Sequence, residues 1–239
     1  MAMQTLRRSG RHIPVVPRYI AEYTVYGEAH SLCSTLDELP TQLNALDMSY
    51  NLDLHDSNLH VFSIGGGSTD DYAGIVRSNR PIPELCDVFY FEAKVMDAGR
   101  HGFIVVGVCS DQADLEQLPG WGTDTWGYHA DDGRAFDGNS GNDQGLPFGP
   151  GYTVLDVIGC GIDMQRRDIF YTKNGRFIGR AFHAVRFGID LHPCIGLNSP
   201  GESVVVNFGN QPFVFDIEKY IKDQQMKKVQ ELQQKYSKD

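Results

Sequence analysis

Residues 158–182 read IGCGIDMQRRDIFYTKNGRFIGRAF, and this stretch contains both of the patterns that decide the fold. In its first half, apolar residues occupy every second position from Ile158 to Met164, which is the period of a half-buried β-strand. In its second half, Asn174 and Gly175 separate two strand-like runs. Asn-Gly is the strongest short hairpin signal, because a type I′ turn needs a positive φ at both central residues. The stretch therefore predicts antiparallel strands joined by a tight turn.

Similar short apolar runs, cut by Gly, Asn and Asp, extend over residues 46–215. Apolar residues alternate with more polar ones from Phe89 to Val95, whereas Phe103 to Cys109 is continuously apolar, as in a strand that is covered on both faces. Many short strands without an internal helical pattern predict an all-β fold, an antiparallel sandwich or barrel, that forms one domain over 46–215.

The two ends differ from this body in composition. Residues 1–45 form a basic arm, in which the leucines of 34–46 lie at helical spacing and predict a short docking helix that Pro40 limits to one or two turns. Residues 216–239 are rich in Lys and Gln and lack Gly and Pro, which predicts a C-terminal helix with Asp216 as its N-cap. Either end is a candidate attachment to a partner.

Charge and cysteine content exclude several classes of function. The chain carries a formal charge of −10, with +4 in residues 1–20 and +2 in residues 217–239, so the segment between them carries −16. An acidic body argues against nucleic acid, and no apolar run approaches the roughly 18 residues that span a bilayer. Five cysteines without C-x-x-C spacing, and no secretory signal, favour a cytoplasmic location over secretion, with nuclear and cytoskeletal or ciliary locations left open.

Phrases within the predicted strands and loops recur together in one known family. They are YNLDLHDSNLHVFSIGGG at 50–67, RPIP at 80–83, YFE at 90–92, LPGW at 118–121, WGYH at 126–129, DDG at 131–133, DVIGC at 156–160, FYTKNG at 170–175, PGE at 200–202 and FG at 208–209. As an ordered set, they make residues 47–220 resemble the SPRY domain of the type found in Ran-binding protein M and its relatives.

The resemblance implies a bent antiparallel β-sandwich whose loops on one rim bind short peptide segments of other proteins, without catalysis. The residues that it assigns to this rim come from three segments of the chain: Asn79, Arg80, Pro81 and Ile82; Trp126, Tyr128, His129, Asp131 and Asp132; and Asn198, Ser199 and Pro200. The polar loop Asp137–Gly149 is longer than the usual family segment, and the helical and ligase modules that accompany the domain in other proteins do not occur in this sequence.

The same residues offer no constellation for catalysis or for a cofactor. Asp131 and Asp132 are adjacent and could do acid–base work, but successive strand residues point to opposite faces. The oxygen-rich loop at 137–149 has Asn142 where an EF-hand needs glycine, so a polar turn is the better interpretation. We predict no catalytic residue, no metal ion and no cofactor.

Two functions remain. The first is a protein–protein interaction module, an adaptor or scaffold that captures a short partner segment; its acidic body favours basic segments. The alternative is a structural subunit of a large cytoskeletal or ciliary assembly, anchored by the extensions at both ends. Trp121 and Trp126 are each interpreted either as packing residues or as part of the contact surface.

Overall fold

The computed structural model of the chain describes residues 16–24, 39–64, 72–183, 185 and 188–236. The remainder of the basic arm, the GGG that ends the 50–67 phrase, and Cys33, one of the five cysteines, lie outside the described residues. The elements in chain order are α1 (Arg18–Tyr23), β1 (Leu43–Met48), β2 (Leu52–His55), β3 (His60–Ser63), β4 (Gly74–Ser78), β5 (Val88–Ala98), β6 (Val105–Ser110), β7 (Thr125–His129), β8 (Arg134–Asp137), β9 (Leu146–Pro147), β10 (Val157–Asp163), β11 (Asp168–Lys173), β12 (Arg176–Phe182), β13 (Leu191–Leu197), β14 (Glu202–Asn207) and α2 (Ile217–Tyr236).

The strands form two seven-stranded antiparallel sheets, which confirms the predicted all-β sandwich. The first sheet has the order β1-β4-β13-β6-β7-β8-β9, and the second has the order β12-β11-β10-β5-β14-β3-β2. Consecutive strands often change sheet, so the long connections gather at the two ends of the sandwich. These ends are where loops can make contact with a partner.

The hairpin that the Asn-Gly pair predicts joins β11 to β12. Lys173 pairs with Arg176, and the two residues between them have φ values of 50° (Asn174) and 77° (Gly175), as a type I′ turn requires. The predicted strand at 158–164 is also present as β10, but it is not half-buried: residues 158–162 are all buried, because one face packs on the other sheet and the second face is covered as well.

The C-terminal helix α2 and the segment before it cover the outer face of the second sheet. The Glu92 carboxylate on β5 accepts the N–H groups of Val214, at 2.9 and 3.0 Å, and of Phe215, at 3.0 Å. On α2, the Tyr220 ring lies 4.7 Å from the Phe170 ring. The predicted C-terminal helix is therefore present and docked on the sandwich.

The described part of the arm is also docked. Tyr19 on α1 is buried, and its hydroxyl accepts the Tyr90 N–H at 2.9 Å and donates to the Tyr90 carbonyl at 3.2 Å. β14 pairs with β5 only from Glu92 onward, so the residues of β5 before Glu92 lack a neighbouring strand on that edge. The Tyr19 hydroxyl provides the hydrogen bonds that such a strand would make with Tyr90.

The leucine spacing of 34–46 is wrong as a helix prediction in its C-terminal part. Leu43–Met48 is β1, which pairs with β4, and Leu46 is 97% exposed; residues 34–38 lie outside the described residues. Pairing with a strand some thirty residues later overrides the local helical pattern. Neither α1 nor α2, the helices among the described residues, is long and apolar enough to cross a bilayer.

We predict that Tyr19→Phe lowers the free energy of unfolding by about 1–3 kcal/mol, because it leaves a buried N–H and a buried carbonyl of Tyr90 without their partner. Urea denaturation measures the effect. Tyr50→Phe is the matched control, since the Tyr50 side chain is exposed and its hydroxyl should contribute less than about 0.5 kcal/mol. Equal values for the two variants would contradict a structural role for the Tyr19 hydroxyl.

Candidate functional site

The three predicted rim segments do not lie on one rim. Asn79–Ile82 follows β4, and the Ile82 N–H donates to the carbonyl of Leu191 at the start of β13. Asn198–Pro200 follows the other end of β13, six residues further along the strand. At about 3.3 Å per residue, these segments are about 20 Å apart along the sheet. The sequence motifs could not reveal this, because they do not show which way each strand runs.

We call the first end the Arg80 rim, formed by residues 79–87, 111–114 and 188–190. These connections contact each other: the Asp111 N–H donates to the Asp190 carbonyl, as that of Ile82 does to Leu191. These connections contain five acidic residues and one arginine. The β10–β11 turn beside them, joined to Asp87 by the Met164 N–H at 2.9 Å and the Gln165 amide at 2.6 Å, adds Arg166 and Arg167. Below it, Arg77 is fixed in the sheet by two bonds to Asp47, at 2.6 and 2.8 Å, and one to the Ser110 carbonyl. The rim is therefore rigidly supported and acidic.

We call the other end the Asp131 rim, formed by residues 99–103, 130–133, 151–156 and 198–201. Its centre is Glu202, which is fully buried and accepts the N–H groups of Asn198 (2.7 Å), Ser199 (2.9 Å) and Phe103 (2.6 Å), and the Ser199 hydroxyl (2.6 Å). Burial outweighs these hydrogen bonds and raises the pKa of the Glu202 carboxyl. Ser199 is buried in this network, and Asn198 and Pro200 are half-buried.

A shallow groove of about 510 Å³ lies on the Asp131 rim, between the β5–β6 connection and residues 151–156. Its charges are mixed: Arg100, His101 and Asp131 line it together, and Lys173 lies 3.0 Å from Asp156. Burial opposes ionisation of Asp156, but hydrogen bonds from Asn174, the Thr153 backbone and Lys173 outweigh it and lower the pKa of this carboxyl. The positive and negative charges of the groove therefore nearly cancel.

The predicted acid pair is exposed on this rim. The Asp132 carboxylate accepts the N–H of Arg134 at 2.9 Å, so it braces the turn before β8. Asp131 is exposed and lines the groove. The two carboxylates thus have separate environments, one structural and one open to a ligand.

Trp126, Tyr128 and His129 are not surface residues, which corrects their assignment as contact residues. They lie in β7 and are 2%, 0% and 4% exposed. Tyr128 faces the second sheet and donates its hydroxyl to the Pro150 carbonyl; burial raises its pKa to about 12. His129 faces outward but is covered by residues 119–121, and burial lowers its pKa. The sequence does not show that residues 119–121 cover the outer face of β7.

The cover is the LPGW segment, which lies flat on the outer face of the first sheet. Pro119 fits into a shallow depression there: a Cβ atom on Gly127 would come within 2.4 Å of the Pro119 carbonyl oxygen, and one on Gly196 within 2.3 Å of its ring. Only glycine permits this approach. The next residue but one, Trp121, is 55% exposed. The two tryptophans therefore divide the roles that the sequence left open: Trp126 packs in the core, and Trp121 is on the surface.

The geometry is that of a β-sandwich that presents loops at its two ends. A match to the SPRY domain covers residues 88–211, and the chain therefore belongs to the SPRY domain family. Domains of this family serve as protein-interaction modules.

Relatives and solved structures agree with this membership. Ran-binding protein 9 of Xenopus tropicalis is 42% identical over 187 residues, which cover 78% of this chain and 33% of the relative. Ran-binding protein 9 of Homo sapiens is 40% identical over 185 residues, 77% of this chain and 25% of the relative. The Ran-binding protein M homolog of Arabidopsis thaliana is 34% identical over 194 residues, 77% of this chain and 38% of the relative. The chain thus spans a quarter to two fifths of the length of these relatives.

The crystal structure of a human SPRY domain superposes with a TM-score of 0.59 at 29% identity, over 70% of this chain and 99% of that one. The SPRY domain of human HERC1 superposes with a TM-score of 0.58 at 20% identity, over 71% of this chain and 99% of that one, and supports the fold alone. The predicted resemblance to the Ran-binding protein M type is confirmed.

We predict that Glu202→Gln lowers the free energy of unfolding by about 2–4 kcal/mol, because the amide NH₂ cannot accept the two donors that one carboxylate oxygen accepts. Urea denaturation and amide hydrogen exchange at residues 198–199 measure the loss. Asp131→Asn, an exposed change on the same rim, should alter stability by less than about 0.5 kcal/mol. Unchanged exchange at 198–199 in Glu202→Gln would refute the role assigned to the carboxylate.

Proposed function

We propose that the chain is a non-enzymatic interaction module, an adaptor or scaffold, that binds a short segment of a partner protein through its Arg80 rim. Family membership supports an interaction role. We choose this rim over the other one because of its charge. Four acidic residues are exposed on the same rim as Arg80: Glu84, Asp111, Asp114 and Asp190. The acidic residues outnumber the arginines at this end, and an excess of negative charge steers and retains positively charged segments, so we propose segments rich in lysine and arginine.

The Asp131 rim is the weaker candidate for the same role. Its cations lie among its acids, and Asp156 is already paired with Lys173. Asp131, Asp132 and Asn198–Pro200 therefore attract a basic segment less strongly than the Arg80 rim does. A ligand of this rim would be recognised by shape and hydrogen bonds rather than by charge.

The alternative function, a fixed structural subunit held by its extensions, receives less support. Tyr19 of the arm and Tyr220 of α2 pack on the sandwich of the same chain, and Glu92 holds the segment before α2. These parts of the two ends are therefore occupied by contacts within the domain. The described cysteines are free and buried, which fits the proposed cytoplasmic location, where thiols remain reduced.

We predict that the double variant Asp111→Lys, Asp190→Lys weakens the binding of lysine- and arginine-rich peptides at least about tenfold, which corresponds to about 1.4 kcal/mol. Peptide arrays identify binders, and titration at several salt concentrations measures affinity. Both positions are exposed, so the melting temperature should not change. Tyr128→Ala would be uninformative, because Tyr128 is part of the core.

The matched control is Asp131→Lys, Asp132→Lys, which changes the net charge by the same amount on the other rim. Affinity within about twofold of the parent chain is expected for it, because the two rims are about two screening lengths apart at physiological salt. If the control loses binding and the Arg80-rim variant does not, the Asp131 rim is the contact surface. If neither loses binding, no rim captures these segments and the proposal is wrong.

A further inference from the structure

Trp121 presents a large aromatic surface to solvent from a fixed backbone. Pro119 is held against Gly127 and Gly196, and the Trp121 N–H donates to the Leu118 carbonyl at 3.1 Å. The indole lies 6.1 Å from the buried His129 ring. Most of the aromatic residues that the structure describes pack in the core, so an indole that is 55% exposed on a rigid support is a preformed contact surface.

A small pocket of about 270 Å³ adjoins this indole. Trp121 and Phe136 line its aromatic side, and Asp137, Asn142 and Asp143 line its polar side. No lysine, arginine or histidine is among the described residues that line it. The volume suits one long side chain rather than a folded surface or a drug-sized ligand.

The polar side of the pocket is held in shape by bonds within its own loop. The Asp137 carboxylate accepts the Asn139 N–H at 2.9 Å, and the Asn142 amide donates to the Gly145 carbonyl at 3.2 Å. The nearby cation, Arg134, donates to the Gln144 and Gly145 carbonyls at 2.6 and 3.3 Å, so its guanidinium is engaged on the loop backbone. The loop Asp137–Asp143 thus forms a rigid wall that includes two acidic residues.

We infer that this pocket binds the side chain of an arginine from a partner protein. A guanidinium is planar and weakly hydrated, so it stacks on an indole while its N–H groups donate to carboxylates on the opposite wall. Lysine offers a strongly hydrated point charge and gains less from the flat indole. The pocket lies on the outer face of the first sheet, beside the end that carries the Arg80 rim: the Asp124 carbonyl accepts the Ser110 N–H at 2.9 Å, and the Asp124 N–H donates to the Asn139 side chain of the loop at 3.2 Å. An arginine held there would fix the register of a bound segment. This inference rests on the proposed function only in that the arginine belongs to a partner segment.

The test uses the fluorescence of the full chain. The chain has two tryptophans, and Trp126 is 2% exposed, so a ligand that stacks on Trp121 changes the signal of that residue. The probes are short, blocked, glycine-flanked peptides with one central arginine, lysine or citrulline. We expect a saturable change with the arginine peptide, with a Kd of about 1 mM as befits one side chain, at least about fivefold weaker binding of the lysine peptide, and none of the citrulline peptide.

The variants separate stacking from general charge. Asp143→Asn is expected to weaken the arginine peptide about fivefold, whereas Asp131→Asn, which removes the same charge at a distance, should leave it unchanged. Calorimetric titration should show loss of binding in Trp121→Ala. Citrulline or lysine binding as tight as arginine, equal effects of the two Asn variants, or no saturable signal would overturn the inference.

The outcome is distinguishable from failure of the proposed function. The Arg80-rim double variant is expected to keep the affinity for the single-arginine probe while losing the lysine- and arginine-rich segments. If the probe binds but no segment binds the rim, only the rim proposal fails; if segments bind and the probe does not, only the pocket fails.

Discussion

The structure depends on the need to satisfy both faces and both edges of β5. This strand is eleven residues long, but β14 covers one of its edges only from Glu92 onward. Its first residues would therefore leave buried backbone groups without partners, and its outer side chains would be exposed. Tyr19 supplies the missing edge partner, and Glu92 holds the segment that covers the outer face. The segments on either side of the family domain are thus structural parts of the sandwich.

The elements that the sequence predicts correctly are those set by local chemistry. The Asn174-Gly175 turn has the positive φ values that the pair favours, and α2 begins after Asp216, whose carboxylate accepts the Lys219 N–H. Residues 43–46 illustrate the opposite case. Their leucine spacing suits a helix, but β1 is formed by pairing with β4, and this partner is not visible in the local pattern.

The candidate site shows the same difference between features that local sequence determines and features that contacts distant in the sequence determine. That Asn79–Ile82 and Asn198–Pro200 are loops was predictable, but their separation follows from the antiparallel pairing of β4 with β13. Asn79–Ile82 follows β4 and lies beside the start of β13, whereas Asn198–Pro200 follows the end of β13. Burial of Tyr128 follows from its place in a strand that faces the other sheet, whereas burial of His129 follows from the LPGW cover. The LPGW phrase was the only hint at the position of Trp121. Pro119 packs closely on Gly127 and Gly196, and this contact fixes the backbone that carries Trp121 two residues later.

The docking of both end segments has a mechanical consequence. α1 and α2 lie together on the outer side of the second sheet, with Lys222 4.8 Å above the Tyr23 ring, whereas Trp121 lies on the outer side of the first sheet. A pull transmitted through either end would therefore act on the layer opposite to the indole. Cargo on the indole side and a tether on the helix side would not obstruct each other, and the sandwich would act as a rigid spacer between them.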